Sequence, residues 1–161
     1  MSVERALWGK CSPEEEERYR RIIRDREDNS PYYQLIGLEV TGLGCGRASI
    51  QMAADEQLWN LGGIVHGGAI CSLADAAAGV ALATLLDKDN ERPVTIELKV
   101  NFCSPAREGV LEAHGEVIHR GGRITVSEAE VRQGARLIAK AIATYMVVAL
   151  PVTTEGVTTA P

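Results

Sequence analysis

Aromatic residues are scarce in this chain: they make up 4% of its 161 residues, and only one of them is phenylalanine. The four cysteines (Cys11, Cys45, Cys71 and Cys103) are scattered and form no CxxC pair. That spacing argues against a zinc site and against a disulfide framework, and it predicts reduced thiols in a cytoplasmic protein. Residues 1–29 are dominated by charge and lack the basic-then-apolar pattern of a secretion signal.

The chain also has no excess of positive charge. Acidic residues outnumber basic ones by 22 to 17, and the net charge of −5 argues against nucleic acid as the main partner. The hydrophobic content of 45% and the charged content of 24% are ordinary for one globular domain with a buried core. One apolar run, residues 67–86, is long enough to span a membrane. Because it carries Asp75 and lacks aromatic or basic anchors, it predicts a helix buried in a soluble protein.

Asp75 is the only carboxylate in this alanine-rich helix. A lone acid is costly to bury, and no basic residue lies within one helical turn, so we expect a function for it. The helix begins at His66-Gly67-Gly68, where free N–H groups and the helix dipole are able to polarise a carbonyl oxygen. Asp75 lies about 13 Å beyond His66 along the helix axis and about half a turn round. If both act on one substrate atom, Asp75 must come from a second copy of the chain, which predicts an obligate dimer.

The order of helix and strand signals predicts the domain organisation. Ser12, Pro13 and the acids after them predict a charged helix that ends near residue 28, and residues 31–36 predict one further turn. We expect a helical extension over residues 1–34, a main domain over residues 35–150 and a disordered tail over residues 151–161. Strands are predicted at residues 37–43, 47–53, 94–103, 110–119, 123–132 and 136–149.

The strand at residues 94–103 alternates most clearly. One face is predicted to carry its apolar residues, Val94, Ile96, Leu98, Val100 and Phe102, and the other face Thr95, Glu97, Lys99 and Asn101. In the last strand, Ala139, Ala141 and Ala143 leave one face with little bulk, which suits close packing on an alanine-rich helix. The expected fold is α+β, with a long central helix wrapped by an antiparallel sheet of five or six strands.

The spacing of Asn60, His66-Gly67-Gly68 and Asp75 resembles that of the hotdog-fold acyl-CoA thioesterases, in particular the phenylacetate-pathway (PaaI-type) branch. The resemblance extends over roughly residues 35–149 and includes the segments 102–106 and 119–123. It implies hydrolysis of an acyl-CoA thioester to the free acid and coenzyme A. It also implies a homodimer with composite sites, whose dimers pair into a tetramer. No metal or redox cofactor is implied, because coenzyme A is part of the substrate.

The resemblance assigns catalytic roles to four residues. Gly67 takes the oxyanion position, where its N–H stabilises charge on the thioester oxygen. His66 orients the thioester region rather than acting as the main base. Asp75 of the opposite subunit activates water or attacks directly. Asn60 positions water or the leaving sulfur, although a plain loop or capping role fits its type equally well.

The resemblance also assigns binding roles. Gly68 permits close backbone approach, and Thr95 matches a place where a related enzyme type holds the water with a hydroxyl. Phe102 is placed at the pantetheine channel, although a core aromatic is the plainer interpretation. The turn His119, Arg120, Gly121, Gly122 and Arg123 is expected to contact the phosphates of coenzyme A, because its two arginines flank a glycine turn. A hairpin with solvated charges is the alternative.

Two other functions fit parts of this pattern. A non-catalytic acyl-CoA-binding or sensing protein uses the same fold, but such regulators typically carry a DNA-binding domain, for which the N-terminal segment is too short and too acidic. The hydratase branch of the fold relies on a histidine base in a different local motif. The sequence does not indicate which acyl group the protein accepts.

Overall fold

The computed structural model describes residues 6–9, 12–87 and 90–149. The predicted tail at residues 151–161 and Cys11 lie outside the described residues. The elements are β1 (Ala6–Trp8), α1 (Pro13–Glu27), α2 (Pro31–Ile36), β2 (Leu38–Gly44), β3 (Arg47–Ala53), a 3-10 turn (Glu56–Leu58), α3 (Gly67–Ala83), β4 (Glu91–Phe102), β5 (Val110–Arg120), β6 (Ile124–Gln133) and β7 (Arg136–Ala149).

The strands form one sheet that wraps around α3. Their order is β1-β2-β3-β5-β6-β7-β4, and every neighbouring pair except the parallel β1–β2 pair is antiparallel. The helix approaches β5 so closely that a Cβ on Gly115 would lie 2.2 Å from the Ala77 carbonyl oxygen. Ala139, Ala141 and Ala143 of β7 are buried. The prediction of an α+β fold with a central helix is therefore confirmed.

The sheet has seven strands rather than five or six, because β1 adds to its edge. The ring of Trp8 lies over β2, where a Cβ on Gly42 would lie 2.7 Å from it. The segment before residue 35 thus contributes a strand as well as helices. Helix α3 ends at Ala83, three residues before the predicted end. Beyond it the Thr84 hydroxyl donates to the Ala81 carbonyl and accepts from the Gly46 N–H.

The N-terminal helices pack onto the domain. Helix α1 begins after Ser12 with Pro13 in its first turn, as the sequence predicted, and a capping box joins Ser12 to Glu15. Tyr19, Ile22 and Ile23 of α1 are buried in the core. Burial of this apolar face stabilises the extension on the sheet. No helix in the described part of the chain is long and apolar enough to cross a membrane.

Strand β4 is at the edge of the sheet and contains a β-bulge. Its pairing with β7 joins Thr95 to Tyr145 and Glu97 to Thr144, so Ile96 is the extra residue. A bulge of this kind re-aims the side chains on one side of it. Thr95 consequently points toward α3, and Ile96 is 53% exposed. The prediction that all five apolar residues of this strand share one face, with Thr95 on the other, is wrong because regular alternation does not pass through a bulge.

Candidate functional site

Asp75 lies in the third turn of α3 and is half-buried. The Tyr145 hydroxyl lies 2.9 Å from Asp75 Oδ1 and 2.9 Å from the Asp75 main-chain oxygen. The Thr95 hydroxyl donates to the same Oδ1 at 3.0 Å. None of the described residues donates a hydrogen bond to Oδ2. The carboxylate is therefore held through one oxygen, and its other oxygen remains available.

The sheet register explains why these two hydroxyls meet Asp75. Thr95 and Tyr145 are partners on neighbouring strands, and side chains that are paired in this way lie on the same face. The Tyr145 side chain is only 2% exposed. Burial raises the pKa of Tyr145 well above its usual range, and the Asp75 charge raises it further. The phenol consequently keeps its proton at pH values where a solvent-exposed tyrosine begins to ionise.

A cavity of about 440 Å³ lies beside Asp75. Its wall includes Arg26 of α1 together with Tyr32 and Tyr33 of α2, so the N-terminal extension closes one side of it. The Tyr32 hydroxyl is 2.5 Å from the Ser72 hydroxyl on α3. Burial raises the pKa of Tyr33 to about 12, with the Arg26 charge opposing and the Asp75 charge adding to this shift. The sequence did not indicate Arg26, Tyr32 or Tyr33, because they are distant from Asp75 along the chain and belong to no motif.

The start of α3 is organised by His66. Its Nδ1 accepts a hydrogen bond from the Gly68 N–H at 2.9 Å, so His66 is the N-cap of the helix. In the neutral ring the proton then resides on Nε2. No described group accepts a hydrogen bond from the Gly67 N–H. Gly67 therefore offers a free donor at the positive end of the α3 dipole, whereas the Gly68 N–H is already engaged.

Phe102 and Asn60 flank this helix start. A Cβ on Gly67 would lie 3.2 Å from Phe102 Cζ, so the ring lies against the glycine. Phe102 is 55% exposed and is not a core residue. Asn60 lies in the loop before the helix, where its Oδ1 accepts from the Gly62 N–H at 2.8 Å. Its main-chain N–H donates to the Ile64 carbonyl. Asn60 thus shapes its own loop.

The two groups of residues lie apart within one chain. Gly67 and Asp75 are on the same helix, separated along its axis by about 12 Å. The structure brings Thr95 to Asp75, and it brings His66, Gly68 and Phe102 to Gly67. It does not bring the Gly67 N–H to the Asp75 carboxylate.

The turn from His119 to Arg123 joins β5 and β6. The Gly121 N–H donates to the Ile124 carbonyl at 2.9 Å, and a Cβ on Gly121 would lie 2.7 Å from that oxygen, so the turn requires glycine there. The His119, Arg120, Gly122 and Arg123 positions are exposed. Neither arginine forms an ion pair with a described residue.

The sheet register places this turn at the same end of the sheet as Asp75. Across four neighbouring strands the partners run from Arg120 to Thr125, Tyr145 and Thr95, and Thr95 is hydrogen-bonded to Asp75. With strands spaced about 4.8 Å apart, Arg120 and Thr95 are separated by roughly 14 Å. Arg120 therefore lies at the same end of the sheet as the Asp75 carboxylate.

Comparison with known proteins identifies the family. The family model described as the thioesterase superfamily matches residues 62–139. A relative from Saccharolobus solfataricus, named only as a candidate esterase, is 37% identical over 116 residues, which are 71% of this chain and 76% of the relative. The chain belongs to the thioesterase superfamily.

Further similarities agree with this family. The medium/long-chain acyl-CoA thioesterase YigI of Salmonella typhimurium is 31% identical, over 73% of this chain and 85% of that protein. A solved thioesterase family protein from Silicibacter pomeroyi is 29% identical with a TM-score of 0.75, over 81% of this chain and 98% of that one. The conserved protein PA5202 of Pseudomonas aeruginosa is 38% identical with a TM-score of 0.71, over 74% and 94%. The fold is thus the hotdog fold of thioesterases.

Proposed function

We propose that this hotdog protein is an acyl-CoA thioesterase of the PaaI-type branch. The observation that carries the proposal is the Asp75 carboxylate, which two hydroxyls hold through Oδ1 beside a cavity while Oδ2 remains free. A fixed carboxylate with one available oxygen is suited to activating water or to attacking a thioester carbon. The family membership supplies the reaction class.

The proposed reaction uses the N-terminus of α3 and the carboxylate in its third turn. The Gly67 N–H and the helix dipole stabilise negative charge on the thioester oxygen. Asp75 either takes a proton from water, whose oxygen bonds to the acyl carbon, or attacks that carbon itself before water releases the acid. The carbon–sulfur bond breaks, and the proton ends on the sulfur of coenzyme A. His66, through Nε2–H, and Asn60 are proposed to orient the thioester and the leaving sulfur.

We propose further that the site is shared between two protomers. Strand β4 ends the sheet and leaves Val94, Ile96 and Phe102 at least 44% exposed. Antiparallel pairing of two β4 edges about Leu98 and Lys99 sets Thr95 of one protomer opposite Phe102 of the partner subunit. Asp75 and the partner's Gly67 then face one another. Pairing of such dimers into a tetramer is the remaining part of this proposal.

The exposed arginines Arg120 and Arg123 are proposed to bind the phosphates of coenzyme A, together with the His119, Gly121 and Gly122 positions of the turn. Phe102 is proposed to line the pantetheine channel beside Gly67.

A cytoplasmic location is also proposed, because Cys45, Cys71 and Cys103 are free thiols.

Thiol release tests the function directly. Wild type and Asp75→Asn are incubated with phenylacetyl-, benzoyl-, butyryl-, hexanoyl- and palmitoyl-CoA, and free thiol is measured with a colorimetric reagent. We expect turnover of some of these thioesters by wild type, at least about 1000-fold faster than by the variant. Tight binding of acyl-CoA without thiol release would instead indicate a binding module. Water addition to an enoyl-CoA with the thioester intact would indicate a hydratase.

A further inference from the structure

We propose that Tyr145 is a positioning residue for Asp75: its phenol and the Thr95 hydroxyl occupy Oδ1, and so assign Oδ2 to the reacting water or acyl carbon. This inference rests on the proposed thioesterase function and names the atom that performs it. Tyr145 lies on the last strand, 70 residues from Asp75 in sequence, and belongs to no motif of the site.

Tyr145 holds the Asp75 side chain in one position. We call its phenol, together with the Thr95 hydroxyl, the clamp. The Tyr145 hydroxyl is within 2.9 Å of both Oδ1 and the main-chain oxygen of Asp75, so its single proton is shared between the two oxygens and ties the side chain to the helix that carries it. The ring is buried, and at Gly79 a Cβ would lie 3.4 Å from the phenol oxygen, so α3 itself packs against it. Buried, hydrogen-bonded groups of this kind have few alternative conformations, which is how catalytic geometry is maintained.

Thr95 is the second half of the clamp rather than a ligand of water. Its hydroxyl donates to Oδ1 at 3.0 Å. A hydroxyl has one proton to donate. With that proton engaged at Oδ1, Thr95 does not also donate to a substrate water. Its role is then to complete the set of donors to Oδ1.

Oδ2 is left as the reactive oxygen because it lacks a described donor and Asp75 lines the cavity of about 440 Å³. The titratable groups around Asp75 come from each element packed on it: Arg26 from α1, Tyr32 and Tyr33 from α2, Cys71 from α3 and Tyr145 from β7. Of these, Tyr145 alone is hydrogen-bonded to the carboxylate.

Tyr145→Phe tests the proposal, because it removes one oxygen and keeps the ring. We expect kcat to fall by about 10- to 100-fold with KM nearly unchanged, since the hydroxyl acts through Asp75 and the ring that lines the cavity is kept. Thr95→Val gives a smaller change in the same direction, and Thr95→Ser restores most of the rate.

The matched control is Tyr19→Phe, which removes a phenol that is also buried but does not line the cavity. It keeps the wild-type kcat. If Tyr145→Phe lowers the melting temperature as Tyr19→Phe does and leaves kcat unchanged, Tyr145 is merely structural and the proposal is overturned.

A second measurement is independent of turnover. The carboxyl carbon of Asp75 is followed by NMR in protein labelled with carbon-13 at aspartate, and its signal is identified by its loss in Asp75→Asn. Its chemical shift at fixed pH changes in Tyr145→Phe but not in Tyr19→Phe if the phenol is hydrogen-bonded to the carboxylate, and an unchanged chemical shift contradicts the clamp. Absence of thiol release from wild type would overturn the proposed function, while this chemical shift would still decide the role of Tyr145.

Discussion

Gly67 and Phe102 are in contact at the start of α3, where a Cβ on the glycine would lie 3.2 Å from Phe102 Cζ. His66, the preceding residue, has a ψ of 138°, the extended conformation that a following proline requires. Proline is well accepted at the first position of a helix, where it removes an N–H that has no helical partner. The N–H proposed to stabilise the oxyanion is therefore removable without breaking the helix.

Gly67→Pro is expected to fold and to lose about 100-fold in kcat, because one oxyanion donor is typically worth that much. Gly67→Ala is the matched control, since it places a similar carbon against the half-exposed Phe102 ring and keeps the N–H. It should retain most of the wild-type kcat. Circular dichroism confirms folding of both variants, and thiol release compares their rates. Equal losses in the two variants would show that crowding at Phe102, and not the N–H, is responsible.

Mixing two inactive variants tests whether the site is shared. Gly67→Pro and Asp75→Asn are denatured together and refolded at equal concentration. A dimer of one chain of each type contains one intact site if Gly67 and Asp75 act across the interface, and random pairing then restores about a quarter of the wild-type activity. If each chain has its own complete site, no activity returns. Sedimentation velocity establishes that dimers form in both samples.

Substitution at the β5–β6 turn tests the coenzyme A site. Arg120→Ala with Arg123→Ala is expected to raise KM for acyl-CoA by about 10-fold or more, because charge-assisted bonds to phosphate are lost. The same acyl group on N-acetylcysteamine, which has no phosphate, should be hydrolysed by the variant and by wild type alike. Arg136→Ala is the control, since Arg136 is in the β6–β7 turn and hydrogen-bonds to Gln133. An unchanged KM for acyl-CoA would indicate that Arg120 and Arg123 are solvated and do not bind the phosphates of coenzyme A.

The tyrosines of α2 are expected to limit the acyl group. Tyr33→Ala enlarges the cavity beside Asp75, so hexanoyl-CoA should gain about 10-fold in kcat/KM relative to butyryl-CoA. Leu35→Ala, on the same helix but 72% exposed and outside the cavity wall, should leave this ratio unchanged. An unchanged ratio in Tyr33→Ala would place the acyl group elsewhere.

The central helix and the sheet around it were predictable because both have strong periodic signals in the sequence. Asp75 stood out as a lone carboxylate in an apolar helix, and His66-Gly67-Gly68 lay at the helix start. Local patterns of this kind carry information about residues that are close along the chain. These local patterns predicted the fold class and the apolar helix that contains Asp75, but not the side chains that reach Asp75 from the sheet.

The remainder depended on pairing between distant segments. Tyr145 and Thr95 meet Asp75 only through the register of β7 and β4, and a bulge at Ile96 reverses the face that alternation gave to Thr95. Strand β1 is three residues long, too short for a periodic signal. Tyr33 reaches the cavity because α1 docks through Tyr19, Ile22 and Ile23, a tertiary contact that helix propensity does not specify.

Tyr145, which is buried, and Tyr33, which is half-buried, also predict how stability depends on alkaline pH. Burial raises the pKa of Tyr33 from 10.0 to about 12, and it raises that of Tyr145 as well. Above pH 10 the unfolded chain releases these protons and the folded chain retains them. The unfolded state therefore binds fewer protons, and the free energy of unfolding falls as pH rises from 10 toward 12. Below pH 10 the full stability is present.

Urea unfolding between pH 9 and pH 11.5 measures this dependence. We expect the unfolding midpoint of wild type to fall steeply above pH 10. Tyr33→Phe and Tyr145→Phe should each make the decline shallower, since each removes one proton that the folded state retains. Tyr32→Phe, which removes a phenol that is 51% exposed, is the control and should keep the wild-type slope. Equal slopes in all four proteins would mean that these two phenols ionise in the folded protein as they do in the unfolded chain, so that burial does not keep Tyr145 in the protonated form that clamps Asp75.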